Sequence, residues 1–268
     1  MYAKIKDLSY YYQDRGKTGE TVLLLHGNPD SSDMWEQLLQ RIEPTYRCIA
    51  LDLPGFGRSE IDKKVNFSLE EGAKWMQDFF ESLDIKDSVH LILHDVGAFY
   101  GLPWAIRNPD NIKSLCVTNT LFFSDYSWHF WGRIWRTPII GELAILFADK
   151  NLYKREMKKG GTGLSEEFLE NGYKQMSFRM RKTVLKMYRA MSPSVFRVWE
   201  EDYLKLVEKI PIQVIWGELD PYIPMKFGYA ERFAQKGKLL LVPEAGHWIA
   251  AEKPDIFAKT WQEFAQNS

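Results

Sequence analysis

The sequence is poor in the residues that build metal sites and disulfide frameworks. It has two cysteines, Cys48 and Cys116, and five histidines among 268 residues. Neither cysteine has a CxxC neighbour or a clustered set of histidines, which argues against a structural zinc or a redox pair. Each lies in a short apolar run that reads as a buried strand, so both are expected as free thiols, the pattern of a reducing compartment. Charge of one sign is lacking as well. With 35 basic and 36 acidic residues the formal net charge is −1, too little to draw in nucleic acid or anionic lipid at long range. No run of about 20 apolar residues occurs. The richest stretch, Tyr126 to Phe147, is interrupted by Arg133, Arg136, Pro138 and Glu142. Met1 to Lys6 has no apolar segment behind its charges and does not read as a secretory signal. A cytoplasmic protein without nucleic-acid or membrane partners is expected, either a monomer or a small homo-oligomer. There is no internal repeat and no low-complexity tract.

What is present is a large apolar content, 45% of residues with 15% aromatic, enough for one sizeable core. Short runs that are apolar on both faces occur at Val22-Leu25, Cys48-Leu51, Val89-Leu93, Leu115-Thr118, Ile212-Trp216 and Leu239-Val242. Such runs suit a parallel sheet covered by helices. Helical patterns lie between them at Met34-Ile42, Leu69-Leu83, Phe99-Arg107 and Phe227-Phe233, and Pro254 opens a last one at Ile256-Phe264. The Tyr10-Tyr12 region is expected to add antiparallel edge strands. The alternation predicts a doubly wound α/β fold with ligand sites at the carboxyl ends of its strands. It breaks between Leu121 and Ile210, a stretch of helical pattern far too long for a connection. Residues 1–120 and 211–268 are therefore read as the core and 121–210 as an inserted helical cap. Lys158-Lys159-Gly160-Gly161 is expected to be an exposed turn of that cap.

The residues able to carry chemistry follow directly after predicted strands. Leu93-His94-Asp95-Val96-Gly97-Ala98 sets an acid on a sharp strand-to-helix turn, the form of a nucleophile elbow with Asp95 where serine usually stands. A carboxylate is already ionised at neutral pH. It can displace a leaving group from an sp³ carbon and remain as an alkyl ester. After the first parallel strand comes His26-Gly27-Asn28-Pro29, where the backbone N–H of Asn28, with that of Val96, can form an oxyanion hole. Trp216-Gly217-Glu218-Leu219-Asp220 supplies Asp220 as the orienting acid, with Glu218 as its rival, and Gly246-His247-Trp248 supplies a histidine. Asp95, Asp220 and His247 follow one another as nucleophile, acid and base. Asn119 stands at another strand end but, as an amide, cannot serve as the acid.

These segments, together with Asp52-Leu53-Pro54-Gly55-Phe56-Gly57-Arg58-Ser59, resemble the α/β-hydrolase superfamily, and within it the aspartate-nucleophile branch of haloalkane dehalogenases and epoxide hydrolases. The resemblance spans most of the core and reaches the cap only in its helical, aromatic character. It implies a small apolar organic substrate and water as reactants, with no metal or organic cofactor. It also implies the mechanism: Asp95 forms a covalent ester, and His247, held by Asp220, activates the water that hydrolyses it. His26-Gly27-Asn28-Pro29 with Ser31, Ser32 and Trp35 is most similar to dehalogenases, in which the asparagine side chain donates to the departing halide. Dehalogenases also carry a tryptophan donor directly after the nucleophile, where this chain has Val96. The expectation is that a cap tryptophan, from Trp128, Trp131, Trp135 and Trp199, supplies the missing N–H. Epoxide hydrolases use cap tyrosines instead, and Tyr188-Arg189 resembles the second of these, with Tyr126 or Tyr153 as the first. Haloalkane dehalogenation is the first reading and epoxide hydrolysis the alternative.

Overall fold

The computed structural model describes residues 1–224 and 229–268. Eight strands form one sheet: β1 (Tyr2–Ile5), β2 (Leu8–Arg15), β3 (Thr21–Leu25), β4 (Arg47–Leu51), β5 (Val89–His94), β6 (Ile112–Thr118), β7 (Ile212–Gly217) and β8 (Lys238–Val242). Their order is β1-β2-β4-β3-β5-β6-β7-β8. The first two strands are the expected antiparallel edge: β1 pairs with β2, and β2 runs antiparallel to β4. From β3 to β8 every pairing is parallel.

The continuous apolar runs are explained by what covers them. Alternate residues point to opposite faces, so Leu23, Leu25, Leu91 and Leu93 enter the core on one side, while Val22, Leu24, Ile92 and Cys116 enter the core on the other. The first side is covered by α2 (Leu69–Ser82) and α3 (Ala98–Arg107), the second by α1 (Glu36–Ile42), α11 (Ile249–Glu252) and α12 (Pro254–Ala265). Burial raises the pKa of both free thiols, Cys48 to about 12 and Cys116 higher still.

The chain leaves β3 for β4 on one side and returns to β5 on the other, so the strand order reverses at β3. The carboxyl ends of β3 and β5 therefore diverge around a crevice, the place where doubly wound sheets bind ligands. His26 to Asn28 and Asp95 lie there.

Between Thr118 and Ile212 the described residues hold no strand. They form α4 (Phe130–Arg136), α5 (Ile140–Leu146), α6 (Lys150–Gly160), α7 (Glu166–Gln175), α8 (Phe178–Ala190) and α9 (Arg197–Leu206). Four of these starts are capped by side chains: His129, Asp149, Ser165 and Ser177 accept the N–H of Gly132, Leu152, Phe168 and Met180. Such caps satisfy one of the otherwise free N–H groups of each first turn. Beyond β7, α10 runs Tyr229–Ala234; Phe227, where the sequence pattern placed its start, lies outside the described residues. Among the described residues no helix is long and apolar enough to cross a membrane.

One expectation is corrected. Lys158 and Lys159 are exposed, but Gly160 and Gly161 are buried, with Gly160 the last residue of α6. A Cβ on Gly160 would stand 2.6 Å from the Tyr222 ring and 2.7 Å from the Trp248 ring. The two glycines mark a close approach between α6 and the loop after β8, which composition alone cannot distinguish from a turn.

Gly97 has a similar role at the elbow, where a Cβ would meet the carbonyl oxygens of Leu25 and His26 at 2.6 and 2.7 Å. Both contacts are backbone atoms that cannot rotate away. Gly97→Ala is expected to destabilise the protein by about 1–3 kcal/mol, read as a shift of the urea unfolding midpoint. An unchanged midpoint would show that the elbow is not close-packed.

Candidate active site

Asp95 directly follows β5 with φ at 44°, in the left-handed region that non-glycine residues rarely occupy. The turn throws its side chain into the crevice while α3 begins behind it. Gly27 leaves the necessary room, since a Cβ there would lie 2.6 Å from the Asp95 Cβ. Asp95 Oδ2 accepts the Asn28 backbone N–H at 2.9 Å, and the N–H of Val96 also bonds the carboxylate. The Thr120 hydroxyl donates to the Asp95 carbonyl at 2.6 Å and braces the turn from the end of β6. Burial raises the Asp95 pKa, opposed by the charge of His247 and by the two N–H donors.

Asp220 follows β7 and is fully enclosed. Its Oδ1 accepts the N–H of Tyr222 at 2.7 Å and of Ile223 at 3.1 Å. Its Oδ2 takes the Asn119 side-chain N–H and His247 Nδ1, both at 2.8 Å. Burial alone would raise its pKa, yet the His247 charge and these donors hold it below the usual carboxylate value. Glu218 points to solvent, so Asp220 is the acid that meets the histidine. Asn119, excluded as an acid, instead links Asp220 to the sheet by also accepting the Gly217 N–H at 3.0 Å.

His247 thus has Nδ1 on Asp220 and Nε2 turned toward Asp95, 3.9 Å from Oδ2. Its backbone is held on both sides: its N–H donates to the Gly160 carbonyl at 2.8 Å, and its carbonyl accepts His94 Nε2–H at 2.9 Å. The first of these bonds comes from α6, and no sequence motif signalled it. Burial disfavours the imidazolium, but Asp220, Asp95 and Asp30 outweigh it and carry the pKa up to about 9. The ring thus stands between the carboxyl groups of Asp220 and Asp95.

A cavity of about 100 Å³ opens above these groups, walled largely by apolar side chains such as Leu121, Ile145 and Val184. Among the neutral polar groups of its wall, three bear on the chemistry. The Asn28 side-chain N–H donates to the Tyr188 hydroxyl at 3.3 Å, which leaves the phenolic proton without an acceptor among the described residues. Burial and the Asp95 charge keep the Tyr188 pKa well above its ordinary value. His129 is the third, and sequence reasoning missed it. Its Nδ1 accepts the Gly132 N–H at 3.2 Å, which places the ring proton on Nε2. Burial, assisted by the His247 charge, lowers its pKa to about 4 and keeps it neutral. Its signal in the sequence is its place just before a helix, where it caps the first turn.

The expected cap donors are placed differently. Trp131 lines the cavity, but its indole N–H donates to Glu156 at 2.8 Å. Trp128 is not part of the wall: it packs behind Tyr188 and Tyr126, with ring centroids at 4.8 and 5.4 Å. Trp199 lies outside the site against the Arg107 guanidinium. Trp135 does line the cavity, edge-on to Tyr188. Of the tyrosines weighed as partners of Tyr188, Tyr126 donates its hydroxyl to the Tyr222 carbonyl at 3.0 Å, and Tyr153 stands in the wall with its hydroxyl buried and without a partner among the described residues.

A family model described as alpha/beta hydrolase fold matches residues 20–254. A haloalkane dehalogenase of Agrobacterium fabrum is 32% identical over 144 residues, which are 52% of this chain and 47% of that one, so the match spans about half of that relative's length. Human epoxide hydrolase 4 is 25% identical over 287 residues, covering 96% of this chain and 76% of that protein. Among solved structures DBJA superposes with a TM-score of 0.85 at 23% identity, covering 100% of this chain and 98% of that one. On the family match and the eight-stranded sheet, the chain belongs to the α/β-hydrolase fold family.

Proposed function

We propose that the protein hydrolyses a small apolar substrate at an sp³ carbon through an ester on Asp95, as a haloalkane dehalogenase-like enzyme. One observation carries the reading: a buried carboxylate, gripped by two backbone N–H groups, faces His247 Nε2 at 3.9 Å while Asp220 holds Nδ1. In this reading residues 1–120 and 211–268 are the catalytic core and the helices of 121–210 are its cap.

The first step is an in-line attack. An Asp95 oxygen bonds the substrate carbon as the carbon–halogen bond breaks, and the halide leaves with the electron pair. The Asn28 side chain, Tyr188 and His129 supply neutral N–H and O–H donors at the leaving-group end. With Val96 lacking a donor, the hydroxyl and the imidazole N–H stand in for the second halide contact.

Esterification removes the negative charge of Asp95. His247 then loses one of the carboxylates that raise its pKa, and its proton becomes easier to release. The neutral ring takes a proton from water, whose oxygen bonds the ester carbonyl carbon. The N–H groups of Asn28 and Val96 stabilise the oxyanion. Collapse expels the alkoxide, which takes the proton from His247 and leaves as the alcohol; the proton of the Asp95 carboxyl then passes to His247, which restores the carboxylate and the imidazolium. The sum is alkyl halide plus water giving alcohol, halide and a proton. A cavity of about 100 Å³ suits a substrate of a few heavy atoms.

Epoxide hydrolysis remains a second reading because one feature favours it: the Tyr188 hydroxyl, which accepts from Asn28, has its own proton free for an epoxide oxygen.

Intact-mass spectrometry of His247→Ala after incubation with a bromoalkane, and separately with a terminal epoxide, is expected to show an alkyl adduct from the bromide that maps to Asp95. Asp95→Asn should form no adduct. A hydroxyalkyl adduct from the epoxide alone would replace the first reading by the second. Tyr188→Phe is expected to slow adduct formation about 10²-fold, the usual cost of one transition-state donor; a wild-type rate would remove Tyr188 from the leaving-group site. His247 also makes stability depend on pH. Because its pKa is raised in the folded protein, its contribution is complete below about 6.5 and is lost as pH rises through about 9. Thermal unfolding from pH 6 to 10 should therefore fall less steeply for His247→Gln than for the wild type.

A further inference from the structure

Asp30 is a buried carboxyl that these steps do not use. It is 3% exposed, sits in the loop after β3 two residues beyond Asn28, and has no ion-pair partner among the described residues. Its Oδ2 accepts the Trp248 indole N–H at 2.7 Å. Trp248 directly follows His247, and the two rings meet edge to face with centroids 4.9 Å apart. The bond therefore ties the loop that carries Asn28 to the loop that carries His247.

Among the described residues the cation that acts on Asp30 is His247. Toward the cavity the groups that act on it are His247 and Asp95, and α6 presents the Tyr153 hydroxyl. On its outer side the groove between the Asp30 loop, α1 and α7 is lined by Asp33, Glu36, Glu167 and Glu252; Arg58 pairs with Asp33 and Arg15 with Glu36, and among the described residues no lysine or arginine pairs with Asp30 itself. A buried carboxyl with no lysine or arginine paired to it loses free energy unless another positive charge compensates it. His247 is the group in position to do so.

We infer that Asp30 is a positioning residue for His247: through Trp248 it fixes the histidine loop against the Asn28 loop, and by its charge it stabilises the imidazolium. The kinetic consequence rests on the proposed ester mechanism, since an imidazolium forms when water attacks the ester. The electrostatic part can be read in the resting protein. Burial raises the Asp30 pKa to about 7, against the Trp248 hydrogen bond and the His247 charge, so its ionisation falls near neutrality. The conservative change separates the two contributions. Asparagine keeps an oxygen for Trp248 and removes the charge, whereas alanine removes both.

The test titrates the His247 ring by NMR in the full-length wild type, Asp30→Asn and Asp30→Ala, with the signal assigned by its loss in His247→Gln. Asp30→Asn should lower the His247 midpoint by about one unit, the effect of deleting a nearby opposite charge. An unchanged midpoint overturns the electrostatic role. A second measurement follows the alkyl ester after a pulse of bromoalkane. Asp30→Asn should slow ester decay about tenfold relative to ester formation, and Asp30→Ala should slow it further because the tie to Trp248 is lost. Equal decay in all three proteins overturns the positioning role. If the wild type forms no ester, the ester mechanism fails, and the titration still decides whether Asp30 and His247 are coupled. Should Asp30→Ala not fold, the near-isosteric Asp30→Asn carries both measurements.

Discussion

The site depends on a charge imbalance held out of water. Asp95, Asp220 and Asp30 are buried around the His247 imidazole, and among the described residues no arginine or lysine pairs with them. Such a cluster is stable only because the remaining lone pairs are met by fixed donors. Asp95 has the N–H groups of Asn28 and Val96; Asp220 has those of Tyr222 and Ile223 and the Asn119 amide; Asp30 has Trp248. Among the described residues the His247 imidazole is the cation these carboxylates share, and they raise its pKa although it is buried. Any step that neutralises one carboxylate releases part of that hold.

The donors can be fixed because they belong to backbone at the ends of the parallel strands. The reversal of strand order at β3 opens a crevice in which the loops after β3, β5, β7 and β8 face each other. The elbow at Asp95 is strained, and it persists because close packing at Gly27 and Gly97 and the Thr120 hydrogen bond leave the turn no alternative. The helices between β6 and β7 do more than cover the opening. Gly160, at the end of α6, accepts the His247 backbone N–H, so the insertion and the core set the position of the same histidine.

Much of this was legible in the residues. Six parallel strands follow from six doubly apolar runs, because a strand covered on both faces has no polar side to show. Asp95, Asp220 and His247 could be singled out because each follows such a run, and strand ends in this architecture converge. The helices between β6 and β7 were legible as a break in alternation. What lay beyond reading were contacts that join segments distant in sequence. Asn119 looked like an acid position lost to an amide; it is a clamp on Asp220. Lys158 to Gly161 looked like a turn, because a glycine pair that allows close approach has the same composition as one that allows a bend. Trp128 and Trp131 had the right chemistry for leaving-group donors, but one is packed behind the wall and the other is bound to Glu156. His129 showed only its place before a helix; that its proton sits on Nε2 is set by a hydrogen bond from Gly132.

The sequence by itself determined the layered α/β fold, the place of the helices between β6 and β7 and the identity of the acid, nucleophile and histidine candidates. These depend on local periodicity and on a topology that brings strand ends together. Tertiary structure alone decided which polar groups face the cavity, which are already satisfied elsewhere, and how the buried charges are balanced. Those outcomes turn on distances of an ångström or less between side chains far apart in the chain, and hydrogen bonding and burial are sensitive on that scale.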